Sequence, residues 1–172
     1  MSSVLKVDQI QNSNGTSGLT IDSNGVVSKS VVPAWRVSLT ADDLRTATTK
    51  AVVPFDLTNS DADRCFLRGG VSMSGGTITV PKTGIYQVNA NIRVDAVGAG
   101  YVILGIRINS DDSGKSEVYM IDGSPPSNYV TVNGHEIYSL EQGDTVEVFA
   151  LSSSDTSWDI QHNSTFSGAM IG

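Results

Sequence analysis

The side chains of this 172-residue chain that could do chemistry are carboxylates, short hydroxyls and a few aromatics. Histidine occurs twice, as His135 and His162, and cysteine once, as Cys65. Zinc sites need several such ligands at fixed spacings, and neither an HxH nor an HxxxH pattern is present. Only three copies of His135 brought to a symmetry axis would gather enough imidazoles for a metal. The stretch Asn109-Ser110-Asp111-Asp112-Ser113-Gly114 starts like a calcium loop, but Met120 stands where the bidentate carboxylate must be. It reads as a polar turn, as does Asn59-Ser60-Asp61-Ala62-Asp63. No Gly-x-Ser-x-Gly elbow is present, and Cys65 reads as a small buried hydrophobe. Paired carboxylates suited to glycoside hydrolysis need a groove between them, which in so short a chain would have to form between subunits. The expectation is a protein that is not an enzyme, with no cofactor and no metal.

Binding chemistry is more legible. In 152–159 a tryptophan sits among short polar residues, and 122–128 contains two consecutive prolines that stiffen it. A sugar ring has an apolar face and a rim of hydroxyls, which an aromatic with adjacent polar groups can meet. Trp158 with Asp155 and Asp159, joined by Asp122 and Asn128, is therefore the candidate glycan contact. The competing reading tucks the Trp158 indole beneath its own loop.

Such loops need a scaffold, and the composition says which kind. Charged residues make up 17% of the chain, while Ser, Thr, Val, Gly and Asn are abundant, a palette for strands and tight turns. Period-two alternation runs through 35–39, 85–92 and 102–108, and further strands are expected at 50–57, 77–80, 115–121, 129–140, 145–151 and 165–171. Only 40–49 has the makings of a helical turn. The fold class is all-β, an antiparallel jelly-roll β-sandwich preceded by a short hairpin-rich arm. A net charge of −7 argues against nucleic acid as a partner. No apolar run is long enough for membrane insertion, and the first residues do not read as a signal peptide.

The chain divides near Pro33. Residues 1–32 carry Leu5, Val7, Ile10, Leu19 and Ile21 in short stretches punctuated by Asn14-Gly15 and Asn24-Gly25, the dipeptide suited to type I′ hairpin turns. So few apolar residues do not make a core. The segment is either an ordered arm that packs on other chains or a flexible tail, and the regular spacing favours the arm.

Five segments of 33–172 together resemble the trimeric jelly-roll head of the complement component one-q and tumour necrosis factor superfamily. They are Pro33 to Thr40; Val53-Pro54-Phe55-Asp56 with Asn59; Thr79 to Tyr86, with its Pro81 and Gly84-Ile85-Tyr86; Leu140-Glu141-Gln142-Gly143-Asp144-Thr145-Val146; and Ser164 to Ile171, with Phe166-Ser167-Gly168. The resemblance implies a homotrimer with Tyr86 in the core and Phe166 facing the three-fold axis. It also implies an interface of Gln87, Asn89, Asn91, Asn133, His135 and Ile137, more polar than the aromatic axis the family often has. A side chain at Gly84 or Gly143 would resist positive φ, and Gly168 would let an aromatic approach closely.

The arm, from Leu5-Lys6-Val7-Asp8-Gln9-Ile10 to Asp22-Ser23-Asn24-Gly25, is similar to the N-terminal stretch of bacteriophage tail-fibre proteins. That similarity implies a virion structural protein on the tail or capsid surface, assembled in the host cytoplasm. Its arm would anchor to other virion proteins and its head would bind host surface glycan. The rivals are a capsid-decorating head fibre or cement trimer, a structural spacer, and a polysaccharide depolymerase.

Overall fold

The computed structural model describes residues 7–11, 13–15, 17–29, 31–45, 49–60, 64–95, 102–111, 118–122, 129–152 and 158–172, with the backbone alone for 17, 28, 29 and 118–122. It forms two compact units, Met1–Val32 and Pro33–Gly172. No helix occurs among the described residues.

The first unit is a three-stranded antiparallel meander of β1 (Gln9–Gln11), β2 (Ser17–Ile21) and β3 (Val27–Lys29). Ile10 pairs with Leu19 and Ile21 with Val27, so these four apolar residues share one face. Leu19, Ile21 and Val7 are half-buried and Ile10 is exposed, while Leu5 lies outside the described residues. The turns are not type I′, which needs positive φ at both central residues. Gly15 and Gly25 are left-handed, each with φ 79°, but Asn14 and Asn24 are not. Instead the Asp22 carboxylate accepts the backbone N–H groups of Asn24 (2.8 Å) and Val26 (2.9 Å), which holds a wider turn.

The second unit packs two sheets face to face. The larger contains β13 (Tyr129–Leu140), β10 (Gly84–Asp95), β16 (Thr165–Met170) with β15 (Trp158–Ile160), β4 (Ala34–Ser38) with β5 (Asp43–Arg45), and β7 (Phe66–Arg68) at the edge. The smaller orders β12 (Val118–Asp122), β11 (Val102–Ile108), β14 (Thr145–Ser152), β9 (Thr77–Thr79) and β8 (Ser72–Ser74), with β6 (Ala51–Val52) also on β14. Strands far apart in sequence alternate between the sheets, which is the jelly-roll connectivity. Alternation along each strand sends Trp35, Tyr86, Val88, Ile92 and Phe166 inward from one sheet, against Ile78, Leu104, Ile106, Val146 and Val148 from the other.

Between β15 and β16 the chain turns away from β10, and buried serines fill the gap. The Ser38 hydroxyl lies 2.7 Å from the carbonyls of both His162 and Ser164, and the Arg93 N–H donates to the Ser164 hydroxyl at 3.0 Å. Residues 40–49 form no helical turn among those described; Asp43–Arg45 is strand β5, paired with β15. The expected strand at 50–57 shrinks to β6: the Val53 N–H still bonds the Val148 carbonyl of β14 at 2.8 Å, and beyond it Phe55 turns into the core and Leu57 bridges to Ser38. A type I′ turn does occur, at Asn109-Ser110, with φ 53° and 54° and an Asp111 N–H to Ile108 carbonyl bond of 3.0 Å.

Candidate interaction surfaces

Strand register places the polar interface candidates together. On the face of the larger sheet turned away from the core, three rungs cross the strands. Asn133 pairs with Asn91 and then Thr165; His135 with Asn89, Ser167, Arg36 and Phe66; Ile137 with Gln87, Ala169, Ala34 and Arg68. Gln87, Asn91, Asn133 and His135 are exposed and Asn89 is half-buried. Ile137 is 62% exposed. Ile85, two residues before Gln87 on β10, is 37% exposed on the same face.

Phe166 does not belong to this face. It pairs with Ala90 and Val37, both core-facing, and is fully buried. Its ring stacks on Phe55 at 5.7 Å and meets Trp35 edge-on at 5.7 Å. The axis placement is therefore corrected: an alternating strand cannot turn both Phe166 and its neighbours Thr165 and Ser167 to the same side. Tyr86 is in the core, its hydroxyl donating to the Lys82 carbonyl at 2.8 Å.

A fourth rung lies at the opposite end of β10 from Gly84 and joins Tyr129, Asp95, Asp159 and Leu44. Tyr129 is 51% and Leu44 67% exposed, and the Arg93 guanidinium stands 4.2 Å from the Tyr129 ring centre. Burial raises the Asp159 carboxyl above the usual carboxylate range; the Gln161 side-chain amide, which donates to it, pulls the other way, and Asp42 and Asp95 add to the rise. Asp42 itself is held low, first by the backbone N–H of His162 (2.7 Å) and then by the imidazole (2.7 Å). Among the described residues no set of three or more His, Cys, Asp or Glu is placed to hold a metal ion.

This end of the sandwich is where β10, β12 and β14 finish and β11, β13 and β15 begin, so 96–101, 123–128 and 153–157 connect strand ends here. Pro33 and Gly172 are at the other end, where the Met170 N–H bonds the Pro33 carbonyl at 2.9 Å and the Ile85 N–H the Gly172 carbonyl at 2.8 Å. Of the proposed glycan contacts, Asn128 and Asp155 lie outside the described residues, as does the Asp122 side chain. Trp158 is corrected outright. It is 2% exposed, part of the core, and capped by the Arg45 guanidinium 5.5 Å from its ring. The Trp158/Ile160 alternation was the available signal for a strand here; the surrounding Ser and Asp hid it.

No protein-family model and no curated protein matches this chain. Solved structures do. Murine APRIL at pH 5.0 superposes with a TM-score of 0.61 at 14% identity, over 81% of this chain and 99% of that one. The globular domain of zebrafish complement 1qA protein gives 0.52 at 20% identity, over 82% and 98%. Murine APRIL at pH 8.0 gives 0.58 at 14%, over 83% and 100%. The head is thus a jelly roll of the kind these domains share.

Proposed function

We propose that this chain is a subunit of a homotrimeric bacteriophage appendage, with the head presented outward and residues 1–32 anchored to other virion proteins. The observation that carries the reading is the uncovered outer face of the larger sheet. Ile137, Tyr129 and Ile85 stand exposed there beside Gln87, Asn89, Asn91, Asn133 and His135. Closed cyclic symmetry is how identical chains cover such a face, and amide and imidazole groups would set its register through hydrogen bonds and trapped water. The apolar face of the arm, too small to stand as a domain, fits a segment that gains its stability on a partner.

The connections 96–101, 123–128 and 153–157, at the end away from Pro33, are the surface turned to the host. Three weak contacts on one particle act together through effective concentration, so adhesion to a surface glycan does not require a strong single site. Trp158 is no part of that contact.

Sedimentation equilibrium of the full chain tests the assembly: three-fold mass is expected, and a stable monomer at micromolar concentration overturns it. Immunogold labelling of intact particles tests the rest, with label on tail appendages expected. Label on the shell would instead identify a capsid-decorating trimer.

A further inference from the structure

The larger sheet ends at β7, and beside this strand lies a cleft of about 710 Å³. Thr58, Asn59 and Ser60 form one wall, and the chain from Arg64 to Arg68 forms the other. Ser60 and Cys65 exchange backbone hydrogen bonds of 2.9 and 3.2 Å, which ties the two walls together. Arg64 is left-handed, with φ 56°, a conformation that residues with a side chain rarely adopt and that tends to mark functional positions. The Arg68 guanidinium stands 4.9 Å from the centre of the Phe66 ring. Arg36 pairs with Phe66 from β4 and brings a further cation to the same edge.

The arginines at this edge are not neutralised by a described carboxylate, as is also true of Arg93, which stands over Tyr129. Arg45 is paired with Asp43 and Arg107 with Glu147. Among the described residues, Arg36, Arg64 and Arg68 have neither an ion pair nor a side-chain hydrogen bond, and the Arg36 Nε is buried without an acceptor. Asp61 and Asp63, close by in sequence, lie outside the described residues. Arg64 and Arg68 at the cleft, with Arg36 beside it, offer guanidinium groups that an anionic ligand can engage.

We propose that this cleft binds a saccharide bearing a carboxylate, with Arg64 and Arg68 gripping the acid group and Phe66 supporting the ring. The planar guanidinium fork matches a carboxylate with two parallel hydrogen bonds. An aromatic wall suits the apolar face of a sugar. Thr58, Asn59 and Ser60 carry the short donors and acceptors that ring hydroxyls need. The volume is that of a small-molecule site. An added peptide strand fits less well, because β7 has three residues and offers few ladder bonds. The cleft lies at the β7 edge, where Arg68 pairs with Ala34 beside Pro33, so it is separate from the host-facing connections. The inference rests on the adhesive reading above only for its biological sense, and the binding itself needs no trimer.

Titrating the full chain with sodium glucuronate, N-acetylneuraminate and methyl glucoside, read by saturation-transfer NMR, tests it. Both acids are the expected ligands, at about millimolar Kd, with the neutral glucoside at least ~10-fold weaker. The Arg64→Gln/Arg68→Gln variant should lose binding by ~10-fold or more, and Phe66→Leu should weaken acid and neutral sugar alike. Binding by one acid alone keeps the site and narrows its source. Equal binding of acid and neutral sugars, no binding at about 50 mM, or an unchanged double variant overturns the proposal. So does a double variant that alters sedimentation while no sugar binds, since the arginines then face acidic groups of a second copy. A monomer that still binds the acids leaves this proposal standing and removes the trimeric one.

Discussion

The indole of Trp35 fills the space that a side chain at Gly168 would need: a Cβ built there falls 2.4 Å from two carbons of the ring. Trp35 has nowhere to retreat, since its ring lies 6.3 Å from Tyr86 and 5.7 Å from Phe166. Gly168→Ala is therefore expected to cost about 1–3 kcal/mol through overpacking. Thermal unfolding followed by circular dichroism should show a fall of several degrees; an unchanged Tm would mean the indole shifts freely.

Glu147, 2% exposed, accepts hydrogen bonds from Arg107 (2.5 Å), Thr77 (2.7 Å) and Ser110 (3.0 Å), the last within the type I′ turn. Glu147→Ala removes the buried carboxylate that Arg107, Thr77 and Ser110 share, at an expected cost of about 3 kcal/mol. Replacing both members with apolar side chains, Arg107→Met with Glu147→Leu, should cost less than the single change. Urea unfolding of the two variants checks the order.

Burial, helped by the charge of Glu136, pushes the Tyr138 hydroxyl up to about 12, and that hydroxyl is buried with no hydrogen-bond partner. An acid whose folded pKa is raised gives stability that is intact below its unfolded value, near 10, and lost as pH climbs through about 12. Tyr138→Phe should be neutral or gain about 1 kcal/mol, because an unsatisfied polar group disappears. Ultraviolet titration should also lose a phenolate step near 12.

Asp159 and Asp42 carry opposite signs. The Asp159 carboxyl is raised, so its contribution is most favourable below 3.8 and declines as pH rises through the folded value. Asp42 is lowered, so its contribution is present above 3.8 and lost as pH falls through the folded value. Asp159→Asn should raise Tm at neutral pH and change little in acid. Asp42→Asn should lower it slightly at neutral pH, slightly because the pair with His162 is largely exposed. Melting curves at pH values on either side of the carboxylate range check both.

Ile137→Glu tests the assembly without touching the protomer. The side chain is 62% exposed and makes no part of the core, so the variant should fold. In the proposed trimer a charge at each of three symmetric positions should release monomers, at concentrations where the unmodified chain is expected to associate. Sedimentation velocity distinguishes the outcomes.

The long strands were legible because their alternation persists: β11 at 102–108 and β13 at 129–140 coincide with the expected segments. The short ones were not. In β5, Asp43-Leu44-Arg45 has one apolar residue and an acidic lead-in like a helix start, and only pairing with Trp158, Asp159 and Ile160 makes it a strand. In β7, Phe66-Leu67-Arg68 is too brief for a period, so both the cleft beside it and its arginines went unread. The face occupied by Phe166 is fixed by its register with Ala90, 76 positions away, which no local pattern encodes. The reason for Gly84 also differs from expectation: a Cβ there would strike the Gly172 carbonyl and Met170 at 2.6 Å, so space and not φ requires glycine. At Gly143, φ is 95°, as the turn demands.

Because β4 and β16 run side by side, the head returns its chain to where it started. Anything grafted after Gly172 would emerge beside Pro33, where the chain enters the sandwich. Cargo to be held away from both chain ends would have to be spliced into the opposite pole, between Asp95 and Val102 or between Ser152 and Trp158.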